Sequence, residues 1–213
     1  MSLISRLSLI ATAPFVFAAI LQAGLVNGDF QTGDLTGWTS YTTAAGTAGS
    51  GLPNVVTFST AGVDSLAAHF SAGRTSGVQF QGGGIYQDAV YADGLLTVEM
   101  DWAASNSNPG GGNAEGGRFS LLLDGLSLSS TTVGFIDCCG AIVRGSLSGS
   151  APVTAGTHRV SIEITRNYSV NASLGQYVDN ISTSITSSAP EPAGVFLLGS
   201  GLVAVLLRQR RGR

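Results

Sequence analysis

Two acidic side chains, Glu99 and Asp101, have the spacing that acid–base chemistry on a strand requires. They alternate with the apolar residues of segment 95–102 (LLTVEMDW), so they share one face of a predicted strand with Cα atoms ~6.6–6.8 Å apart. Glycoside hydrolysis uses a pair of carboxylates, one as the acid and one as the base or nucleophile. Two acids on the outer face of a strand are also an ordinary solvated surface, and we favour that interpretation.

Tyrosines are the candidates for binding chemistry, because sugars stack on exposed aromatic rings. Trp38 follows a glycine in a turn, and Trp102 has the parity of the inward-facing residues of its strand, so we expect both in the core. Each remaining tyrosine is either a ligand platform or a half-buried strand residue. The predicted sugar contacts are Tyr41, Tyr86, Tyr91 and Tyr168.

The two cysteines are adjacent, at Cys138 and Cys139. In an oxidising compartment they could form a vicinal disulfide, although adjacent Cα atoms lie ~3.8 Å apart and a relaxed bridge needs ~4.4–6.8 Å. A vicinal disulfide, free thiols and an intermolecular disulfide all remain open. We do not expect zinc here, because zinc takes four ligands and no histidine or further cysteine lies nearby.

Charge composition excludes one large class of partner. The chain has no lysine, and five of its ten arginines lie in the first 23 or the last 27 residues. Residues 24–190 keep five arginines against twelve acidic residues, a net charge of −7. A nucleic-acid-binding protein needs a basic face to neutralise phosphates, so we expect no nucleic-acid partner. Low charge with abundant Gly, Ser, Thr and Ala is typical of a secreted β protein.

The elements that would position these residues are short strands. Apolar and polar residues alternate in segments 95–102 and 157–166 (THRVSIEITR), and the second places Val160, Ile162 and Ile164 inward. Further strands are predicted at 55–59, 118–124 and 176–185, and segment 108–117 (NPGGGNAEGG) is predicted to be a mobile loop. Many strands with turn signals between them indicate an all-β protein, specifically a β-sandwich.

The two ends of the chain have different compositions from the middle. Arg6 precedes the uncharged apolar segment 7–21, which is typical of a secretory signal peptide covering residues 1–23. Near the other end, Pro190-Glu191-Pro192 precedes the uncharged segment 193–207, which is short for a membrane span of ~20 residues. Four arginines follow it, a cluster that holds such a helix at the cytoplasmic face: Arg208, Arg210, Arg211 and Arg213.

This ordered set at the C-terminus resembles the sorting signal of the PEP-CTERM proteins. In that family a membrane-embedded exosortase is thought to cut near the Pro-Glu-Pro, which implies a short transmembrane helix and a transient stay in the inner membrane. The resemblance implies as partners the secretion machinery and the exosortase. It implies as destination the cell envelope or extracellular matrix of a Gram-negative bacterium, in association with exopolysaccharide and biofilm.

The middle of the chain carries a second resemblance. Three patches are similar to those of jelly-roll carbohydrate-binding modules and other galactose-binding-like domains. They are Leu25-Val26-Asn27-Gly28-Asp29-Phe30 followed by Gly33 and Gly37-Trp38, then Gly84-Ile85-Tyr86-Gln87, and finally Tyr177-Val178-Asp179-Asn180. The resemblance implies a jelly-roll-like β-sandwich over residues 24–186. It also implies a structural calcium held by Asp29 and Asp179, although two acids fall short of the ~6–8 oxygen ligands that calcium takes.

The Glu99-x-Asp101 pair resembles the start of the catalytic motif of laminarinase-like glycosidases, but Ala104 stands where that motif has its last glutamate. Both carboxylates are needed for hydrolysis, so we expect no enzyme. The sequence therefore predicts three regions: a signal peptide (1–23), a β-sandwich (24–186) and a sorting signal (187–213). The first functional hypothesis is a non-catalytic surface or matrix protein; the alternatives are a carbohydrate-binding lectin-like module and, last, a secreted glycoside hydrolase.

Overall fold

The computed structural model describes residues 24–110 and 114–186. Within these residues the chain forms strands joined by turns, and no helix there is long and apolar enough to cross a membrane. The described residues form twelve strands: β1 Thr39–Thr42, β2 Gly46–Thr47, β3 Asn54–Phe58, β4 Ser65–Phe70, β5 Gly73–Arg74, β6 Gln81–Tyr91, β7 Gly94–Asn106, β8 Ala114–Leu123, β9 Leu126–Ile136, β10 Ala141–Val153, β11 Gly156–Arg166 and β12 Leu174–Thr186.

The strands build two five-stranded sheets and one small ribbon. The front sheet has the order β1-β6-β11-β8-β9, the back sheet has the order β10-β7-β12-β4-β3, and β2 pairs with β5. All of these pairings are antiparallel. The prediction of a jelly-roll-like β-sandwich is confirmed, whereas the predicted signal helix and the C-terminal apolar helix lie outside the described residues.

The core lies between the two sheets and follows from the period of two along each strand. On β11, Val160, Ile162 and Ile164 are fully buried, while Arg159 is exposed and Glu163 is half-buried on the outer face. Each such buried side chain contributes about 1.5–3 kcal/mol of hydrophobic stabilisation. On β7 the inward residues are also those predicted by alternation: Leu96, Val98, Met100 and Trp102.

The first sequence patch of the domain is fastened to β6 through its backbone. The side chain of Gln87 accepts a hydrogen bond from Val26 N (2.6 Å) and donates one to Val26 O (3.0 Å). The indole Nε1 of Trp38 donates to Asn27 O (3.0 Å), and Trp38 is only 7% exposed. These two residues of the motif therefore hold the start of the domain against the sandwich, which is a structural role.

The predicted loop at 108–117 is wrong over its second half. Ala114 and Glu115 begin β8, where they pair with Ile136 and Phe135 of β9. The glycine-rich composition favours a loop locally, but the ladder of hydrogen bonds with β9 extends the strand through it. Tertiary pairing overrides weak local preference in strands.

Candidate functional site

The outer face of the front sheet contains a groove of about 710 Å³. We call it the front groove. Side chains from four strands and one hairpin turn line it, because outward residues of neighbouring strands stand side by side on a sheet. Its lining residues are Tyr41, Tyr86, Leu122, Asp124, Gly125, Arg159, Ser161 and Glu163.

The ring of Tyr41 lies over Gly84, a position of β6 that has no side chain. Tyr41 on the edge strand β1 pairs with Gly84 of β6, and Gly84 pairs in turn with Glu163 of β11. A Cβ atom at Gly84 would stand 2.8 Å from Tyr41 Cε1 and 2.9 Å from Cζ, so the ring occupies the space above this glycine. From there the Tyr41 hydroxyl donates to Glu163 Oε2 at 3.3 Å.

A second tyrosine of the groove is held by an arginine. The guanidinium carbon of Arg159 lies 3.8 Å from the centre of the Tyr86 ring, a cation–π contact. Nε and Nη2 of the same guanidinium donate to the two oxygens of Asp88 at 2.7 and 2.8 Å. Tyr86 and Tyr41 stand with ring centres 6.1 Å apart. The guanidinium of Arg159 therefore contacts Tyr86 with one face and Asp88 along one edge.

The rim of the groove is the two-residue hairpin turn Asp124-Gly125 between β8 and β9. Both residues have positive φ, at 50° and 81°, as a type I′ turn requires and as Asp-Gly favours. Asp124 is bound back to β11: Oδ1 accepts from Arg159 N at 2.8 Å, and Oδ2 lies 2.7 Å from His158 Nδ1. The turn is thus fixed over one end of the groove.

The electrostatics of the groove follow from these contacts. Burial, together with the neighbouring carboxylate of Glu163, raises the pKa of Tyr41 well above its ordinary value, so its hydroxyl stays protonated. The hydrogen bond from Arg159 lowers the pKa of Asp88. Burial would raise the pKa of Asp124, but the hydrogen bonds from His158 and the Arg159 amide outweigh it and lower the pKa. The groove therefore places the protonated hydroxyl of Tyr41 on Glu163, while the carboxylates of Asp88 and Asp124 are bound by Arg159 and His158.

The four tyrosines predicted as sugar contacts occupy three different places. Tyr41 and Tyr86 come together in the front groove. Tyr91 is fully buried, so the prediction of a sugar contact there is wrong: it lies five residues after Tyr86 on the same strand, and alternation turns it into the core. Tyr168 is 46% exposed and packs edge-on against Phe135, with ring centres 5.4 Å apart, outside the groove.

The carboxylate pair Glu99 and Asp101 lies on the outer face of the back sheet, in a smaller groove of about 370 Å³. Ser148 Oγ donates to Glu99 Oε1 at 3.2 Å, and Asn180 Nδ2 donates to Asp101 Oδ2 at 2.8 Å. Among the residues that the structure describes, no aromatic side chain lines this groove. The arrangement matches the predicted polar strand face and contains no platform for a sugar ring.

The residues predicted to hold calcium do not assemble a calcium site. Asp179 is fully buried, and both of its oxygens are occupied: Oδ2 accepts from Ser65 Oγ (2.5 Å) and Oδ1 from Asn180 N (2.7 Å). Asp29 Oδ1 accepts from Gln31 N at 3.3 Å. Within residues 24–110 and 114–186, no group of three or more His, Cys, Asp or Glu side chains is placed to hold a metal. This donor set does not fit an ion that takes ~6–8 oxygens.

The two cysteines are free thiols in the turn between β9 and β10, with Cys139 exposed and at a positive φ of 72°. Of the three alternatives, the vicinal disulfide is therefore absent from this structure. The predicted sorting signal lies outside the described residues. Its members are Pro190, Glu191, Pro192, Arg208, Arg210, Arg211 and Arg213.

Sequence reasoning identified the two groove tyrosines but missed their charged partners. Alternation around the inward Val160, Ile162 and Ile164 implies only that Arg159 and Glu163 face outward, and no local pattern connects Asp124 with them. A signal was available in Gly84, because glycine inside a strand often marks the close approach of another group. Which group approaches follows from the pairing of β1 with β6, which the sequence does not specify.

Comparison with known proteins yields similarity at the level of fold. No protein-family model matches this chain, and no curated protein sequence matches it. One similar solved structure is a CBM61 module in complex with β-1,4-galactotriose, with TM-score 0.45, 14% identity, and coverage of 77% of this chain and 99% of that one. Another is the CBM22-1 xylan-binding domain of Paenibacillus barcinonensis Xyn10C, with TM-score 0.44, 14% identity, and coverage of 81% and 100%. A Stig cyclase from Fischerella sp. TAU is similar to the same degree, with TM-score 0.44, 14% identity, and coverage of 79% and 100%.

Proposed function

We propose that this protein binds a glycan in the front groove and does not cleave it. The observation that carries the proposal is the placement of the Tyr41 ring above Gly84 with its hydroxyl on Glu163. The ring lies over the bare strand at Gly84 and lines the groove, so it supplies an aromatic surface for the apolar face of a pyranose. Glu163 then stands beside the ring as an acceptor for sugar hydroxyls.

Binding without cleavage follows from how the acids of the groove are used. Both oxygens of Asp124 are occupied by His158 and the Arg159 amide, and Asp88 is bound on both oxygens by the Arg159 guanidinium. Glu163 differs from both, since the described residues give it a hydrogen bond from Tyr41 on Oε2. Glycoside hydrolysis needs two carboxylates with defined separation, and of the two that line the groove, Asp124 is held by His158 and the Arg159 amide.

Affinity electrophoresis of the full chain in gels containing single soluble polysaccharides tests the proposal. Galactan, xylan and laminarin serve as neutral probes, and alginate serves as an anionic probe. We expect at least one neutral polysaccharide to retard the wild-type protein and to release no reducing ends during incubation. Unretarded migration in every gel would contradict the binding, and release of reducing ends would contradict the absence of cleavage.

We propose further that the protein is exported and sorted by an exosortase to the envelope or the extracellular matrix, where exopolysaccharide would be available to the groove. The support is the order of parts in the sequence: a basic start with an apolar segment at one end, and Pro190-Glu191-Pro192, an apolar segment and an arginine cluster at the other. The intact mass of the protein from the medium, surface and membrane fractions of its host tests this. Sorting predicts a mass without residues 1–23 and without the segment after about Pro190; an intact arginine-rich tail on the exported protein contradicts it.

A further inference from the structure

His158 has a hydrogen-bond acceptor at each of its two ring nitrogens. Nδ1 lies 2.7 Å from Asp124 Oδ2 and Nε2 lies 2.8 Å from the Thr154 carbonyl oxygen. The side chain is 14% exposed, and its ring packs against that of Tyr91 with centres 6.4 Å apart. The histidine is therefore held in one orientation by two polar contacts and one aromatic neighbour.

These two partners determine the protonation state that the geometry requires. A backbone carbonyl only accepts, and an ionised carboxylate only accepts. A neutral imidazole has a single N–H. Its other nitrogen would then point a lone pair at the lone pairs of one of the two oxygens, which is repulsive. Only the imidazolium donates to both at once, so the observed arrangement is that of a charged His158.

His158 joins two turns, one of which forms the rim of the front groove. Asp124 belongs to the β8–β9 turn that lines the groove, and Thr154 belongs to the turn between β10 and β11. The Asp124 turn is bound to β11 at two further points, because Asp124 N donates to Arg159 O at 2.9 Å and Asp124 Oδ1 accepts from Arg159 N. The imidazolium is the one member of this set that can lose its proton near neutral pH.

The other titratable groups around His158 are engaged elsewhere. From β6, Asp88 is bound by Arg159, and Tyr91 has a pKa raised by burial and stays neutral. From the β6–β7 turn, Asp93 accepts from Ala155 N at 2.7 Å in the same turn as Thr154. On β11 itself, Arg159 carries a fixed positive charge. Among these groups, His158 beside Asp124 is therefore the one whose protonation state changes near neutral pH.

We propose that His158 is a proton-dependent latch that holds the Asp124-Gly125 rim of the front groove in its binding position, closed when the imidazole is charged and loosened when it is neutral. The effect of the latch on glycan binding rests on the function proposed above. The effect of the latch on the position of the rim rests on the geometry of His158 alone.

The direction of the effect follows from linkage. Hydrogen bonding to Asp124, then to the Thr154 carbonyl, raises the pKa of His158 above its ordinary value, and partial burial only opposes this. A raised pKa in the folded state means that the stabilisation is fully present below the unfolded-state pKa of about 6.5 and is lost as the pH rises through the folded-state pKa. The latch is therefore closed in mildly acidic medium and opens toward alkaline pH.

Nuclear magnetic resonance of the ¹⁵N-labelled full chain tests the latch directly. We expect His158 to show two ring N–H protons at about pH 5 and to titrate above the ordinary value of about 6.5. Between about pH 5 and about pH 8, the protection of the Asp124 amide against hydrogen exchange should fall about fivefold, the size of one net hydrogen bond. His158→Gln removes the titration and should remove this pH dependence.

His69→Gln is the matched control, since it changes the other histidine of the chain, which stacks on Tyr177 on the back sheet. This variant should keep the wild-type pH dependence at Asp124. A single ring N–H on wild-type His158 at about pH 5, or equal protection of Asp124 at both pH values, overturns the latch even if the His158→Gln variant does not fold.

Affinity electrophoresis at the same two pH values connects the latch to binding. A polysaccharide that retards the wild-type protein should retard it less at the higher pH, and the difference should vanish in His158→Gln. Equal retardation at both pH values overturns the regulatory role. If the rim loosens as expected but no polysaccharide binds at either pH, the latch stands and the proposed function fails.

Discussion

The ring of Tyr41 lies over Gly84, so that a methyl group on this glycine would stand 2.8 Å from the tyrosine Cε1. One residue without a side chain thus allows an edge-strand tyrosine to reach Glu163, which lies on the strand beyond β6. The groove exists in its present form because β6 is bare at this position.

Gly84→Ala should destabilise the protein and disturb the groove together. The added methyl group meets both the Tyr41 ring and the Ile162 carbonyl oxygen across the β6–β11 pairing, and the backbone oxygen cannot move aside cheaply. Overpacking of this kind costs about 1–3 kcal/mol of unfolding free energy. Chemical denaturation measures it. Gly134→Ala on β9 is the control, because a Cβ there meets nothing within 4 Å, and equal losses in the two variants would contradict the account.

Tyr41→Ala should weaken glycan binding by about tenfold or more, the scale of an aromatic hot spot. Tyr86→Ala should have a smaller effect, because Arg159 already covers one face of that ring. Tyr168→Ala is the matched control, since this exposed tyrosine packs on Phe135 outside the groove. Affinity electrophoresis of the three variants gives the order. A larger loss in the Tyr168 variant than in the Tyr41 variant would move the binding site away from the front groove.

Neutral polysaccharides should bind and anionic ones should not. Asp88 and the Tyr86 ring engage the Arg159 guanidinium along one edge and on one face, and residues 24–190 carry a net charge of −7. Among the described lining residues, no cation is therefore without a protein partner, which disfavours a uronate. Asp88→Asn removes the carboxylate partner of Arg159 and should give measurable retardation in alginate gels at low salt. Strong retardation of the wild-type protein by alginate would contradict this assignment of charges.

Asp179→Asn should be tolerated, and at neutral pH it should stabilise the protein. Burial raises the pKa of Asp179, and the negative charges of Asp101 and Asp29 add to the effect against the hydrogen bonds from Ser65 and the Asn180 amide. A raised carboxyl pKa means stability that is present below the unfolded-state pKa of about 3.9 and is lost as the pH rises through the folded-state value. The gain in Tm from the substitution should therefore be larger at about pH 7 than at about pH 4.

The same variant tests for calcium. Because both Asp179 oxygens are already bonded within the protein, adding calcium or a chelator should leave the Tm of the wild-type protein unchanged. A calcium-dependent rise in Tm that Asp179→Asn abolishes would show that the predicted metal site exists after all.

Much of the fold could be predicted, because the alternation of apolar and polar residues along a single strand shows which side chains face the core. The inward faces of β7 and β11, including Met100 and Ile162, follow from the period of two without any knowledge of neighbouring strands. The same rule could have separated Tyr86 from Tyr91, since residues an odd number apart on one strand face opposite sides.

The candidate site was less accessible to sequence reasoning, because it depends on which strands are neighbours. Tyr41 and Glu163 are 122 residues apart, and only the order β1-β6-β11 brings them together. Likewise, nothing local to Asp124 indicates that its carboxylate binds His158 and Arg159, as both lie on a strand reached only after β9 and β10. Short-range patterns predict faces, whereas sites that span strands depend on long-range pairing.

The most direct test of the central claim is a heteronuclear chemical-shift titration of the ¹⁵N-labelled protein with a neutral oligosaccharide cut from whichever polysaccharide retards it. Glycan binding in the front groove predicts that the amide shifts concentrate at Tyr41, Tyr86, Ser161 and Glu163 and saturate together. Shifts concentrated at Glu99 and Asp101 on the back sheet, or around Phe135 and Tyr168, would contradict the assignment of the site, and the absence of any saturable shift would contradict glycan binding itself.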